Sequence, residues 1–210
     1  MQFPGGTGWE TRCSAVILAG GRNSRMGGQN KAFLEVAGRS IIERLLDTLG
    51  EVFDEILLVT RQPEEYEALP AHVRIVTDIY KKRSSLTGIH AGLVNSRAFF
   101  AFVVACDTPF IEPALVRLLA QEIDPESDVI VSSFETHYEP LCAIYSKRCL
   151  PHIESQLNAE DFKIIHFFDK INLKTIDADQ LKKADPDLRS FFNVNTPEAY
   201  RASLAYTRPK

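Results

Sequence analysis

The chain has 210 residues, of which 45% are hydrophobic and 25% charged, with a formal net charge of −4. This is an ordinary globular composition, which excludes disorder, collagen and coiled coil. The mild acidity argues against a dedicated nucleic-acid binder, which carries a basic excess, but not against a nucleotide ligand.

Residues 1–12 (MQFPGGTGWETR) lack the basic and apolar regions of a signal peptide and read as a flexible tail. Residues 14–19 (SAVILA) form a short unbroken apolar run ending at glycines, the pattern of a buried strand. Residues 40–49 predict a helix, because Ser40 and Glu43 have capping-box spacing and Ile41, Leu45 and Leu49 share a face. Strands are expected at 55–60, 73–77 and 100–106, separated by a short polar helix over 63–68 and a helix over 86–95. A helix over 112–123 carries Pro113 in its first turn. Residues 128–134 and 141–145 read as strands, 147–157 and 162–170 as helices and 173–176 as extended. A helix over 196–205, with Pro197 first, closes the chain.

Strands alternating with helices mean an α/β fold with a largely parallel sheet. No apolar run approaches the ~20 residues that span a bilayer, and no repeat or linker divides the chain, so one domain over 1–210 is expected. In open sheets of this kind ligands sit beyond the carboxyl ends of the strands. Residues just after Leu18, Thr60, Thr77 and Cys106 are therefore expected to line the site. The four cysteines (Cys13, Cys106, Cys142 and Cys149) form no CxxC and read as reduced thiols of a cytoplasmic protein. The five histidines show no HxH or HExxH spacing, which leaves metal and proton-relay roles poorly supported. Phe167, Phe168, Phe191 and Phe192 read as core and lid packing, with one of them free to cover a ligand ring.

The first strand-to-helix turn concentrates chemistry. It runs Leu18-Ala19-Gly20-Gly21-Arg22-Asn23-Ser24-Arg25-Met26-Gly27-Gly28-Gln29-Asn30-Lys31. Gly20 and Gly21 let backbone N–H groups approach a ligand where a Cβ would collide. Arg25 and Lys31 can neutralise phosphate oxygens. The loop is neither a Walker A loop nor a GxGxxG dinucleotide fingerprint. Asp107 follows an apolar strand and precedes Thr108-Pro109, so it is a carboxylate held at the sheet edge, suited to a magnesium ion. The run Lys81-Lys82-Arg83 reads as a solvated loop or as an attractor of phosphate.

The stretch from Leu18 to Lys31 resembles the LAGGxSxRMGxxK signature of the molybdenum cofactor guanylyltransferase family. Asp78 with the segment from Leu86 to Leu93 is similar to that family's D…GPLxGIxAGL. Cys106-Asp107-Thr108-Pro109-Phe110 resembles its CDTP motif, Glu139-Pro140-Leu141-Cys142-Ala143 its HP-containing strand, and Asn193-Val194-Asn195-Thr196-Pro197-Glu198 its NxNTPE element. Five motifs in the family's order cover nearly the whole chain after residue 14.

The resemblance implies a three-layer α/β/α fold around a mostly parallel, Rossmann-like sheet of the nucleotide-diphospho-sugar transferase type. It implies transfer of GMP from Mg²⁺-GTP (Mn²⁺ being the alternative ion) to the phosphate of molybdopterin, with release of pyrophosphate. By position, Leu18, Ala19, Gly20 and Gly21 would hold guanine and ribose. Lys31 and Arg25 would act on phosphate, Thr60 and Asp78 would contact the nucleotide, and Asp107 would hold the metal. Asn193 and Asn195 would face the pterin. Other cofactor-biosynthesis proteins and apo-molybdoenzymes are the implied protein partners, with neither nucleic acid nor membrane involved. A cytidylyltransferase of the same cofactor, a sugar-phosphate nucleotidylyltransferase and a catalytically silent nucleotide-binding homologue are the competing readings. The chain departs from the family pattern at Asn30, usually Asp, at Thr60, often Asn, and at Ser84-Ser85, usually Gly-Pro.

Overall fold

The computed structural model describes residues 13–20 and 30–205. The expected tail over 1–12 lies outside them, as do Gly21, Arg22 and Arg25.

Among the described residues a seven-stranded sheet organises the molecule. Its strands are β1 (Cys13–Leu18), β4 (Ile56–Val59), β5 (Val73–Val76), β6 (Phe100–Ala105), β7 (Val129–Phe134), β8 (His137–Ser146) and β9 (Leu173–Ile176), in the spatial order β5-β4-β1-β6-β8-β7-β9. All neighbours pair in parallel except at β8, which runs antiparallel to both β6 and β7. β1 is central, and apart from Ser14, which is hydrogen-bonded to Glu55 and Ser96, its CSAVIL is apolar on both faces because both faces are covered. Ala15 and Ile17 pack on one side, with α1 (Ile41–Gly50), α3 (Pro113–Gln121) and α5 (Ala178–Ala184). Val16 packs on the other, with α2 (Ser85–Asn95) and α4 (Leu150–Asn158). The fold is thus a three-layer α/β/α arrangement around a mostly parallel sheet, closed by α6 (Pro197–Leu204).

The expected capping box of α1 is present. The Ser40 side chain accepts from the Glu43 backbone N–H, and Glu43 accepts from the Ser40 N–H at 2.9 Å. Ser84 and Thr87 make the same reciprocal cap at the start of α2.

Several elements differ from the sequence reading. The strand expected at 141–145 begins at His137, because only Glu135-Thr136 separates it from β7, and a two-residue link makes a hairpin rather than a parallel crossover. Its register jumps from Val131↔Ala143 to Ser132↔Glu139, leaving Pro140, Leu141 and Cys142 without partners in β7, although Cys142 still pairs with Val104 of β6. Pro140 has no N–H to give a ladder, and its carbonyl instead accepts from the Tyr145 hydroxyl at 2.7 Å. The helix expected at 162–170 is a 3₁₀ winding over Ile164–Lys170, and that at 147–157 opens with a 3₁₀ turn over Lys147–Cys149. The polar helix at 63–68 is a 3₁₀ turn over Pro63–Tyr66.

Missing from the sequence reading are the hairpin of β2 (Glu35–Val36) and β3 (Arg39–Ser40), α5, and the 3₁₀ turns Lys31–Phe33 and Arg189–Phe191. The hairpin turns through Ala37 and Gly38 with positive φ at both. Gly38 suits such a turn, whereas Ala37 carries no turn signal. α5 did have one, in Asp177 and Gln180, which form a capping box.

Candidate active site

The chain leaves β1 through α1 toward β4 and β5, then returns through α2 on the opposite face to β6. Strand order therefore reverses at β1, and a cleft of about 1200 Å³ opens at the carboxyl ends of β1, β4, β5 and β6. Leu18, Ala19, Gly20 and Lys31 border it on one side, Thr60 and Asp78 on the next, and Asp107, Asn193 and Asn195 on the far side. The positions expected from the strand ends are thus brought together among the described residues.

Asp107 sits at the end of β6 with only 16% of its side chain exposed. The C-terminal segment crosses over it. The Asp107 carbonyl accepts from the Val194 N–H at 2.8 Å, and the Thr108 hydroxyl donates to Asn193 Oδ1 at 3.1 Å. Lys31 reaches across from the other side, donating to Asn195 Oδ1 at 2.8 Å with its Nζ 3.7 Å from Asp107 Oδ2. Burial pushes the Asp107 carboxyl above the ordinary carboxylate range, and the Lys31 ammonium pulls against that shift. Burial and the neighbouring Asp107 also push the Cys106 thiol up to about 12, so it stays protonated.

Asp78 is more committed than its sequence context suggests. Both of its oxygens accept from the Arg61 guanidinium, and Oδ1 also accepts from the Tyr80 N–H at 3.1 Å. Arg61 further donates to the carbonyls of Lys81 at 3.1 Å, of Lys82 at 3.3 Å and of Tyr80, so the loop after β5 is wound around one cation. Sequence reasoning gave Arg61 no role. Its only signal was its position directly after a strand end. The Thr60 hydroxyl accepts from the Gln62 N–H at 3.1 Å and lies 3.5 Å from the Ala19 carbonyl, joining the ends of β4 and β1.

The basic run of that loop lies along the cleft. Lys82 is engaged by Glu160 at 2.8 Å and lies 5.5 Å from the Phe162 ring centre. Phe167 and Phe168 are buried in the core, whereas Phe191 borders the cleft and meets Phe134 edge to face at 5.1 Å. His90 is buried against Glu154 at 3.1 Å, consistent with a packing role.

Among the described residues no group of three His, Cys, Asp or Glu side chains could hold a metal ion. A magnesium ion does not require one. It binds through one or two carboxylates, completing its shell with water and substrate phosphate. Asp107 fits that demand as a hard oxygen donor lining a roomy cleft, and the cost of burying its charge falls once a cation faces it.

Among the described residues the cleft at the reversal point of the sheet holds a carboxylate, a lysine and no adjacent nucleophile–base pair, an arrangement suited to phosphoryl-type transfer. The chain belongs to the MobA-like NTP transferase domain family, which residues 15–171 match. It is 41% identical over 185 residues to a molybdenum cofactor guanylyltransferase of Desulfosudis oleivorans, covering 88% of this chain and 91% of that one. A crystal structure of molybdopterin-guanine dinucleotide biosynthesis protein A from Archaeoglobus fulgidus superposes with a TM-score of 0.80 at 26% identity, covering 90% of this chain and 96% of that one. The fold is also similar to that of Rv0371C from Mycobacterium tuberculosis, solved as a complex with manganese (TM-score 0.64, 16% identity, covering 93% of this chain and 99% of that one).

Proposed function

We propose that this protein transfers GMP from GTP to the phosphate of molybdopterin, with Mg²⁺ (or Mn²⁺) as the ion, and that residues 1–210 work as one domain. The observation that carries the reading is the meeting of Lys31, Asp107 and Asn195 at the reversal point of the sheet, in a chain 41% identical to a molybdenum cofactor guanylyltransferase.

An oxygen of the acceptor phosphate attacks the α-phosphorus of GTP. The bond from that phosphorus to the α–β bridging oxygen breaks, and pyrophosphate leaves with the electron pair. No protein nucleophile takes part, so positioning and charge stabilisation are the protein's contribution. Lys31, with Arg25, stabilises charge on the transferring phosphoryl and on pyrophosphate. Asp107 would hold the divalent cation, which when bound neutralises triphosphate charge. Leu18, Ala19, Gly20 and Gly21 take the base and ribose, with Thr60 and Asp78 at the nucleotide's edge, and Asn193 and Asn195 face the acceptor. The reaction belongs to the cytoplasm, with cofactor-biosynthesis proteins and apo-molybdoenzymes as partners. Among the described residues no helix is long and apolar enough to cross a membrane.

Thermal unfolding with each nucleotide tests the base. GTP with Mg²⁺ at a hundred times its Kd is expected to stabilise the fold by about 2.7 kcal/mol, with CTP, ATP and UTP well below that. Stabilisation by CTP alone would replace GMP transfer with CMP transfer. No response to any nucleotide would sink the reading. Incubation with GTP and molybdopterin should release pyrophosphate.

A further inference from the structure

We infer that Asn30, Glu65 and Tyr66 form a positioning clamp that aims Lys31 at its phosphate. The inference rests on the role proposed above for Lys31. The Asn30 side chain caps the turn that carries Lys31, its Oδ1 accepting from the Ala32 N–H at 3.1 Å. The opposite end of the amide, Nδ2, donates to Glu65 Oε2 at 2.5 Å. The Tyr66 hydroxyl sits against the same amide, 2.9 Å from Nδ2 and 3.2 Å from Oδ1. The orientation of the amide is fixed by its partners, because an ionised carboxylate only accepts and a backbone N–H only donates.

Tyr66 gives the clamp a rigid base. It is 1% exposed, and the Phe33 ring, at the other end of the same turn, lies 5.2 Å from its own. The turn Pro63–Tyr66 after β4 therefore reaches over to brace the segment that leads into Lys31. A side chain as long as lysine gains precision only when its backbone is held, and displacements near 1 Å at a reacting centre can cost on the order of a hundredfold in rate.

Asn30 stands where the family pattern has Asp. A carboxylate at position 30 could still cap the turn and accept from the Tyr66 hydroxyl, but would meet the Glu65 carboxylate with no N–H of its own to donate. Two carboxylates so placed share one proton and lose it as pH rises. Among the described residues the titratable groups near the pair are Tyr66 beside it and Lys31 on its own turn, with Cys106 acting on Tyr66 and Asp107 facing Lys31. Burial raises both the Tyr66 hydroxyl and the Cys106 thiol beyond the working range.

The test is the pH profile of kcat for pyrophosphate release in Asn30→Asp, Asn30→Asp/Glu65→Gln, Tyr66→Phe and Lys31→Ala, with the folded fraction followed by circular dichroism at each pH. Asn30→Asp is expected to work near the wild-type rate at acid pH and to lose on the order of tenfold once the shared proton is lost as pH rises, with little change in the KM for GTP. Adding Glu65→Gln restores a donor and should return the profile to wild type, which a generic packing defect would not do. Tyr66→Phe should lower kcat at every pH, again without raising KM. If Lys31→Ala slows turnover yet Asn30→Asp tracks wild type at all pH values, the clamp is wrong. If Lys31→Ala leaves turnover intact, the reading of Lys31 fails first and the clamp has nothing to position.

Discussion

Asp107→Asn is expected to cost on the order of 10²–10³ in turnover, about 2.7–4 kcal/mol of transition-state stabilisation, the range seen when one preorganised electrostatic contact is removed. The same change is expected to leave the fold intact and its apo stability equal or higher. Burial raises the folded-state pKa of Asp107. An acid whose folded pKa lies above its unfolded value contributes stability at low pH, and that contribution is lost as pH rises between the unfolded and folded values. Above that folded value the ionised carboxylate is therefore a cost to the apo fold, which asparagine of the same shape avoids. The Lys31 ammonium keeps its hydrogen bond to Asn195 in the variant. Parallel melts in buffer and in Mg²⁺-GTP separate the two effects: the variant should match or exceed wild type in buffer and lose the Mg²⁺-dependent part of the nucleotide shift. Turnover within a factor of a few of wild type would remove Asp107 from the chemistry.

The position of Asp107 was legible in the sequence because it depends on local pattern, an apolar strand followed at once by a carboxylate. Such patterns place a residue at a sheet edge without any knowledge of what lies opposite. What lies opposite was not legible from the residues alone. Lys31 and Asn195 are 164 residues apart, and their contact requires the C-terminal segment to fold back over β6. The motifs nominated each residue separately, and the fold brings them together among the described residues. The same limit applies to Arg61 and Asp78: the carboxylate was named and the cation that saturates it was not, because the pairing spans two strand ends. In the fold, the parallel half of the sheet followed from its apolar runs. The β7–β8 hairpin was recognised only as two strands, because Pro140 within the second made its first half look like loop. The 3₁₀ windings carry helical periodicity over too few residues to be told from α-helix by pattern.

Gly92→Ala is expected to destabilise the protein by about 1–3 kcal/mol, the range for overpacking a well-filled core. Gly92 lies in the middle of α2 where the helix crosses β1, and a Cβ there would stand 2.6 Å from Val16 Cγ1 and 3.0 Å from Cγ2. Neither can retreat cheaply. Val16 is fully buried in the central strand, hydrogen-bonded between β4 and β6, and its branched side chain has few alternative rotamers. The helix must therefore lift, and the consequence reaches the site, because Ser85 and Gly88 of the same helix border the cleft. Gly50→Ala at the end of α1 is the matched control, since a Cβ there meets nothing within 4 Å. For a chain of this length each kcal/mol corresponds to about 2–4 °C in Tm, so calorimetry resolves the difference. A Gly92→Ala variant that melts with wild type would mean that α2 can shift over β1 at no cost. In that case the close helix–strand contact would not set the position of the cleft wall, and the KM for GTP should be unchanged as well. Loss of stability together with a raised KM is the result expected if one packing contact supports both fold and site.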